Sequence, residues 1–599
     1  MAVLAKPERP AALSRRARIA ALVALCLAEL LVVLDNTLVN VALPTMAMRL
    51  HAYMSGLQWI VDAFTLAFAG LLLAMGHLGD RYGRRRMMLI GLSGVAVMSA
   101  VGALSTGLGQ VIAARAGMGV FAAAVYPSTL AMITNIFTDA RERAQAIAAW
   151  SAMAGIAIAL GPTVGGWLLG VFSWHAVFWI NIPIALVTIV AIVLLTPESR
   201  ADHGGRLDIV GLALSLIGVT SLVYTIIAAP RRGWLSTASL AGYAISVVLL
   251  VLFVAWELRV AAPVLDVRLF RNPRFAVPAF AITVSFFSGL GFLFLFTQYF
   301  QGVKELSAFE FGVHSLPFAA AVCVAAPTAT LLAQRVGATA VVVTGLVLMA
   351  AAMGMIMLIT VDTPYLGPVL VTMVLLGIGF AVVQAPATDS IMASVPVEQA
   401  GAGSAVNDTT RETGGALGVA VLGSVMASVY TARVGARIDA VPSALMTAQQ
   451  KDLARHSPIS VVDIATARVG PFLAGPRDDL VRAMKVAAMT GAHLSAAVTV
   501  VVLLLSAITV AVLLPWRPER TDDIGEHAVM DRDREFATAA GDSTRSPADR
   551  HLVADPGRSG RGLPRSATRP RVEVRRRMGL RRRAHRSRRR SNRGLEKRR

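Results

Sequence analysis

The feature that most constrains this chain is a series of about fourteen apolar runs, each roughly twenty residues long. They fall near 19–43, 57–77, 87–107, 110–133, 145–170, 176–195, 209–228, 239–256, 275–299, 311–332, 339–360, 366–389, 405–428 and 488–514. A helix of about twenty apolar residues crosses a ~30 Å hydrocarbon core. The runs are apolar all round rather than alternating, which selects helices over a barrel. A single water-soluble core is excluded. Of 599 residues 55% are hydrophobic and 16% charged, whereas soluble domains carry about 25% charged residues. The expected fold class is an all-α polytopic membrane protein.

A net charge of +21 points at first to nucleic acid, but its distribution argues otherwise. From Gly557 onward, 19 Lys and Arg face only Glu573 and Glu596, so +17 of the +21 belongs to a tail. Pro515-Trp516-Arg517-Pro518 stops the last helix, and residues 516–599 are too polar to bury a core. They are expected to be a disordered, Arg-rich cytoplasmic tail. The chain has 52 arginines and five lysines. GC-rich DNA read out of frame gives such a bias, so a functional tail and a reading-frame artefact both stand open. Cys26 and Cys323 sit inside apolar runs and are expected to be buried free thiols, with no zinc or disulfide spacing. The run after Arg15, Arg16 and Arg18 continues into a charged motif without a cleavage site. It is read as a retained first helix behind a short cytoplasmic N-terminus, 1–18.

Short loops set the orientation. Alternate loops hold Arg81, Arg84, Arg85, Arg86; Arg141, Arg143; Arg200, Arg206; Arg259, Arg268, Arg271, Arg274; and Arg335. The other set holds only Arg49, Arg231, Arg232 and Lys304. The first set is expected to be cytoplasmic, as are both termini. The connection at about 429–486 is then external. The chain also repeats weakly. Asp80-Arg81-Tyr82-Gly83 with Gly91 echoes Gln334-Arg335-Val336-Gly337 with Gly345, at one offset of 254, and Pro127-Ser128-Thr129 echoes Pro386-Ala387-Thr388. Two six-helix halves are expected, 19–200 and 275–515, with two inserted helices at 208–257.

Four stretches carry the chemistry. In the first run stands Leu34-Asp35-Asn36-Thr37-Leu38-Val39-Asn40. A carboxylate at membrane depth costs about 2.5–3.5 kcal/mol, so it is seldom incidental; the alternative is an interfacial Asp near the outer end of the helix. Burial favours its neutral form and a nearby cation its charged form, so it can alternate between a proton and a cationic cargo. The second stretch is Gly76-His77-Leu78-Gly79-Asp80-Arg81-Tyr82-Gly83-Arg84-Arg85-Arg86. Gly83 permits a tight reversal. The arginines suit anionic headgroups, or simply fix topology. Asp80 can favour the positive N-terminus of a helix from the other half, as a latch. The third is Arg115, inside the fourth run, where it needs a partner or water. The fourth is Gly155, then Gly161-Pro162-Thr163-Val164-Gly165-Gly166, where glycines allow close helix approach and Pro162 removes a backbone hydrogen bond. In the second half, Asn407-Asp408-Thr409-Thr410-Arg411-Glu412-Thr413-Gly414-Gly415 opens the thirteenth run. Arg411 and Glu412 are read as interfacial in preference to cavity-lining. Glu29 either pairs across helices or lines the inner cavity, Asp62 is a second candidate for cation contact in the proton-coupling and cargo set, and each is alternatively a solvated helix end.

With these motifs, residues 18–515 resemble the major facilitator superfamily, in particular the fourteen-helix drug:proton antiporters of the DHA2 group. The resemblance implies coupling through Asp35, an Arg115 facing a central cavity, and a Gly161–Gly166 motif that marks antiporters. It implies an interface or access role for Trp174, His175 and Phe178–Pro183. Two departures stand out, Met118 where the family usually has Gln and Phe121 where it has Gly. Phe121 is expected to alter packing or narrow the cavity. The expected function is proton-coupled efflux of small hydrophobic or cationic compounds across the inner membrane by alternating access, and no enzyme activity. A dedicated exporter of an endogenous metabolite, antibiotic or lipid precursor differs only in cargo. A membrane anchor whose basic tail binds nucleic acid or anionic lipid is the alternative of another class. No Gly-x-x-x-x-Gly-Lys-Ser/Thr loop is present, so the proton gradient is the expected energy source, with no cofactor and no metal. One pH unit supplies ~1.4 kcal/mol per proton and 100 mV about 2.3 kcal/mol per charge. The expected partners are cargo, protons and anionic lipid, with no nucleic acid, and the chain is expected to be a monomer.

Overall fold

The computed structural model describes residues 14–200, 208–260, 263–395, 400–443, 446–458 and 474–516. The expected tail beyond 516 lies outside them. The described elements are helical: α1 (Arg15–Arg49), α2 (Met54–Tyr82), α3 (Arg84–Ala103), α4 (Leu108–Ile136), α5 (Ala140–Val171) and α6 (Ala176–Leu195) form a first set. Then come α7 (Ile209–Arg232) and α8 (Thr237–Glu257). The second set is α9 (Pro273–Val303), α10 (Ala308–Val336), α11 (Ala338–Ile356), α12 (Leu370–Ala393), α13 (Ala400–Asp439) and α15 (Ala474–Leu513). A short α14 (Ala448–His456) precedes α15. Thirteen helices among the described residues are long and apolar enough to cross a membrane, and α5 adds the apolar stretch Leu160–Val171.

Local chemistry sets the helix ends. Ser14 caps α1 through the Ala17 amide, and Asn272 caps α9 with Pro273 in the first turn. Ser307 and Glu310 form a reciprocal capping box on α10. The last turn of α9, Gln298–Val303, loosens into a π-helix.

The sequence echo is visible as matched geometry. Gly83 ends α2 with φ 111°, and Gly337 ends α10 with φ 93°, a backbone region that side chains disfavour. Gly91 seats α3 against the Phe121 carbonyl of α4, as Gly345 seats α11 against the Gly379 carbonyl of α12. Gly119 lies under the Phe64 carbonyl, and Gly377 under that of Phe318. A Cβ at any of these four would come within 3 Å of a backbone oxygen, so the small residues set the helix spacing.

The two sets meet along α5–α10 and α2–α13. Hydrogen bonds join them at the end of the bundle opposite Arg84–Arg86. Gln301 of α9 donates to the Val41 carbonyl at 2.9 Å, and Gln58 of α2 donates to carbonyls of α13. Helix α7 lies on both α2 and α13, closing a small apolar cluster of Leu66, Val223, Ile226, Ile227, Ala416 and Ala420. Helix α8 packs on α7 and turns Ile245, Val248 and Leu252 outward. Of the two thiols expected to be buried, Cys26 is, but Cys323 is exposed on α10. A thiol is apolar enough to face lipid, so an apolar run does not distinguish the two positions.

Candidate functional site

Asp35 sits past the midpoint of α1 and is 1% exposed. Its Oδ2 pairs with Nη1 of Arg115 on α4. Its Oδ1 accepts a 2.7 Å hydrogen bond from Asn181 on α6, whose amide also lies 3.3 Å from Ser99 Oγ on α3. Arg115 Nε donates to the Ile60 carbonyl of α2 at 3.1 Å, and the guanidinium lies over the Phe64 ring, 4.3 Å from its centroid. Five helices thus converge on one ion pair, with Arg115 and Asn181 fully buried. Arg115 Nη2 has no hydrogen-bond partner among the described residues. A buried pair repays its desolvation only with good geometry and extra hydrogen bonds. Asn181 and the Ile60 carbonyl supply those. At the offset that relates Gly119 to Gly377, Met373 stands where Arg115 would repeat, so this charge belongs to one set alone.

The departures of α4 from the family pattern are accommodated by packing. Met118 Sδ receives Ser99 Oγ at 3.7 Å. Phe121 lies against Gly94 of α3, where a Cβ would stand 2.1 Å from the ring, so its bulk is taken up between helices.

The α5 motif presents two faces. Gly161 packs against Thr37 and Gly165 against Leu38, both on α1. Gly166 lies against the Ala308 carbonyl, and the Pro162 carbonyl against Gly312, both on α10. The motif therefore lies on the seam between the two sets. Gly155 falls in the same helix.

A second polar group forms between the sets. Glu29 of α1 is 1% exposed and lies within electrostatic reach of Tyr126 on α4 and of Asp408, Arg411 and Glu412 on α13. Arg411 bonds Thr388 Oγ1 at 3.1 Å, lies 3.7 Å from Asp408, and sits over Phe286. Asn407 accepts from Thr388 at 3.2 Å and donates to Asp408 at 3.3 Å. Three carboxyl groups face one guanidinium. Aromatic rings line this region: Tyr126 meets Phe68 and Trp150 edge-on, and Phe286 meets Phe380. Arg411 and Glu412 thus face the first set across the seam. In the rest of that motif, Gly414 packs on the Thr283 carbonyl of α9 and Gly415 on Leu290. Glu29 and Asp35, six residues apart on α1, point to different partners as the helical period requires.

Asp62 is apart from both groups. It is fully buried on α2 between Gln58 and Leu66, the stripe that faces α13 and α7, and neither oxygen has a hydrogen-bond partner among the described residues.

At the arginine-rich loop, Gly76 and Gly79 pack on Pro127 and Ser128 of α4. Asp80 pairs with Arg84 at 2.8 Å within its own loop, and Arg81 lies over Tyr82. The acid at a helix N-terminus is Glu198, which accepts from the Arg85 amide at 3.0 Å at the start of α3, while Arg85 reaches the Val193 carbonyl. This helix belongs to the same set, and residues 396–399, which lead into α13 of the other set, lie outside the described ones. Trp174 stacks on His175, whose ring meets the Ser105 carbonyl. Among the described residues, no group of three or more His, Cys, Asp or Glu is placed to hold a metal.

Sequence reasoning missed Asn181 as a ligand of Asp35, and Glu198 and Gln58 altogether. An uncharged amide in an apolar run carries only a weak signal, although burial at membrane depth demands a partner for it.

The sequence profile of the Major Facilitator Superfamily matches residues 25–419. The chain belongs to this superfamily. It is 39% identical over 414 residues to the multidrug efflux pump LfrA of Mycolicibacterium smegmatis, covering 69% of this chain and 82% of that one. It is 34% identical over 408 residues to the tetracenomycin C resistance and export protein of Streptomyces glaucescens, covering 68% and 76%. Among solved structures, a bacterial homologue of the human lysosomal transporter Spinster matches with a TM-score of 0.56 at 15% identity, covering 84% of this chain and all of that one. The fold is the all-α polytopic major facilitator fold. The protein is a multi-pass membrane protein of a transporter family.

Proposed function

We propose that this chain exports small hydrophobic or cationic compounds of the multidrug type from the cell in exchange for protons. The efflux reading draws on relatives named as multidrug efflux pumps and antibiotic exporters. Proton coupling rests on one observation: Asp35 and Arg115 form a buried pair where five helices converge. A proton arriving at Asp35 cancels its charge and strands the guanidinium. Such an arrangement has two states set by one proton, as a coupled carrier needs. The group of Glu29, Asp408 and Glu412 among aromatic rings offers carboxylates and π faces to a lipophilic cation.

In this reading two six-helix halves, 19–200 and 275–515, rock about the cavity, with the pair at 208–257 beside them. By the charge rule the arginine-rich end and both termini face the cytoplasm, and those arginines meet anionic lipid of the inner membrane. The transporter needs no cofactor and works as a monomer. A dedicated exporter of an endogenous compound is the second reading, supported by the named export of tetracenomycin C by a relative.

The test is transport in proteoliposomes under an imposed pH gradient, with a panel of lipophilic cations and neutral antibiotics. Gradient-driven uptake of several unrelated compounds is expected. Flux of one compound alone favours the dedicated exporter, and flux indifferent to the gradient overturns proton coupling.

A further inference from the structure

Gln58 stands one turn inside the start of α2 and is 1% exposed. Its amide nitrogen donates to the Ala420 carbonyl at 2.8 Å and the Val419 carbonyl at 3.1 Å, and lies 3.2 Å from Ser424 Oγ, all on α13. Carbonyls only accept, so the chemistry fixes which end of the amide points there. Gly423 leaves the space, since a Cβ there would stand 2.6 Å from that nitrogen. Two residues along α2, the Ile60 carbonyl takes Arg115 Nε, and Phe64 lies beneath the guanidinium. The same two turns of α2 are therefore gripped by Arg115 within their own half and by α13 across the seam.

We propose that Gln58 is the positioning residue through which the Asp35–Arg115 pair controls closure of the outer end of the bundle. This rests on the proton-antiport reading above. With the pair intact, Arg115 holds α2 in place and Gln58 locks it to α13. While the outer end is transiently open, a proton from that side adds to a carboxylate oxygen of Asp35; Arg115, its counter-charge gone, turns to the water there and leaves Ile60 and Phe64, so that α2 stays parted from α13. The same oxygen gives the proton up after the opposite end opens, and Gln58 exchanges none. Asp35 is the charge that acts on Arg115. Helices α3 and α6 bring the neutral Ser99 and Asn181, and the acid of α2 itself is Asp62, two residues past Ile60. A glutamine suits a lock in this place. Its amide cannot be left unpaired in an apolar seam, so it releases α13 only as water enters.

The experiment uses the full chain carrying Cys26→Ala and Cys323→Ala, with spin labels at Leu104→Cys and Leu366→Cys in liposomes. Both label sites are in outer-end loops, at 70% and 77% exposure. With Gln58 in place, the inter-label distance should lengthen as pH falls. Gln58→Leu removes the donor at similar volume. It should raise the outer-open fraction at neutral pH about tenfold, flatten its pH dependence, and leak protons without cargo. Ser424→Ala, which leaves the packing intact, should shift the fraction the same way by a smaller factor, and Gln58→Asn should partly restore the lock. An unchanged open fraction and pH midpoint in both Gln58→Leu and Ser424→Ala, with coupled flux normal otherwise, would overturn the role of Gln58 alone. If the chain with Gln58 shows neither a pH-dependent distance nor gradient-driven flux, the antiport reading falls and takes this inference with it.

Discussion

Replacing Asp35 with Asn isolates the charge of the buried pair from its shape. The amide is isosteric with the carboxyl and can still accept from Asn181, now 2.7 Å away. Arg115 does worse. Asp35 is its counter-ion, and among the described residues its Nη2 has no hydrogen-bond partner and its remaining contacts are one carbonyl and one ring. Removing one member of a buried pair costs about 3–5 kcal/mol. At 1.4 kcal/mol per decade, that disfavours the closed arrangement by roughly two to three and a half orders of magnitude. The variant should mimic a permanently protonated carrier. It should insert and bind cargo, but its gradient-driven efflux should fall at least about a hundredfold, since the return step requires the charged pair. The assay is cargo flux into inverted vesicles with a pH dye reporting proton movement, normalised to protein in the membrane. Coupled efflux within a factor of about three of the parent, which is under 1 kcal/mol, would refute the assignment of coupling to Asp35.

Other perturbations test other parts of the molecule. A Cβ at Gly166 would stand 2.4 Å from the Ala308 carbonyl oxygen. Gly166→Ala should therefore force α5 and α10 apart by about 1 Å, raising thiol accessibility at the end of that seam opposite Arg84–Arg86; unchanged accessibility would reduce the motif to ordinary packing. Glu29→Gln removes one of three carboxyl groups facing Arg411 and should weaken transport of cations more than of neutral cargo, read as a rise in KM for cations only. Equal effects on both would argue against a cation site there. Asp80→Asn loses the 2.8 Å pair with Arg84 and should slow turnover with cargo affinity intact, whereas normal turnover would remove Asp80 from the cycle.

Much of this molecule was readable from residue order because a bilayer leaves few solutions for an apolar chain. Run lengths and glycine offsets anticipated the helices and the matched caps at Gly83 and Gly337. Asp35 and Arg115 were legible because a charge in an apolar run must find a partner. Which partner it finds is a matter of helix rotation and neighbour choice, and no spacing encodes that. Hence the residue order marks Asn181 only within the interface or access stretch Phe178–Pro183, not as a partner of Asp35, and it does not place Arg411 within reach of Glu29. Nor does any spacing mark Glu198, one hundred and eighteen residues beyond Asp80, as the acid that occupies the N-terminus of α3. The bulk of Phe121 was foreseen, but not that Gly94 makes room for it.

The small cluster that α7 makes with α2 and α13 bears on how freely the halves can move. Were Leu66, Val223, Ala416 and Ala420 to part in water, each would be wetted and the motion would be strongly opposed. In a bilayer, any part of α7 that leaves the cluster meets acyl chains, which are as apolar as leucine. Separation there is close to neutral in solvation, so the resistance to rocking is concentrated in the few polar contacts, and the inserted hairpin can ride on either half like a sliding seal.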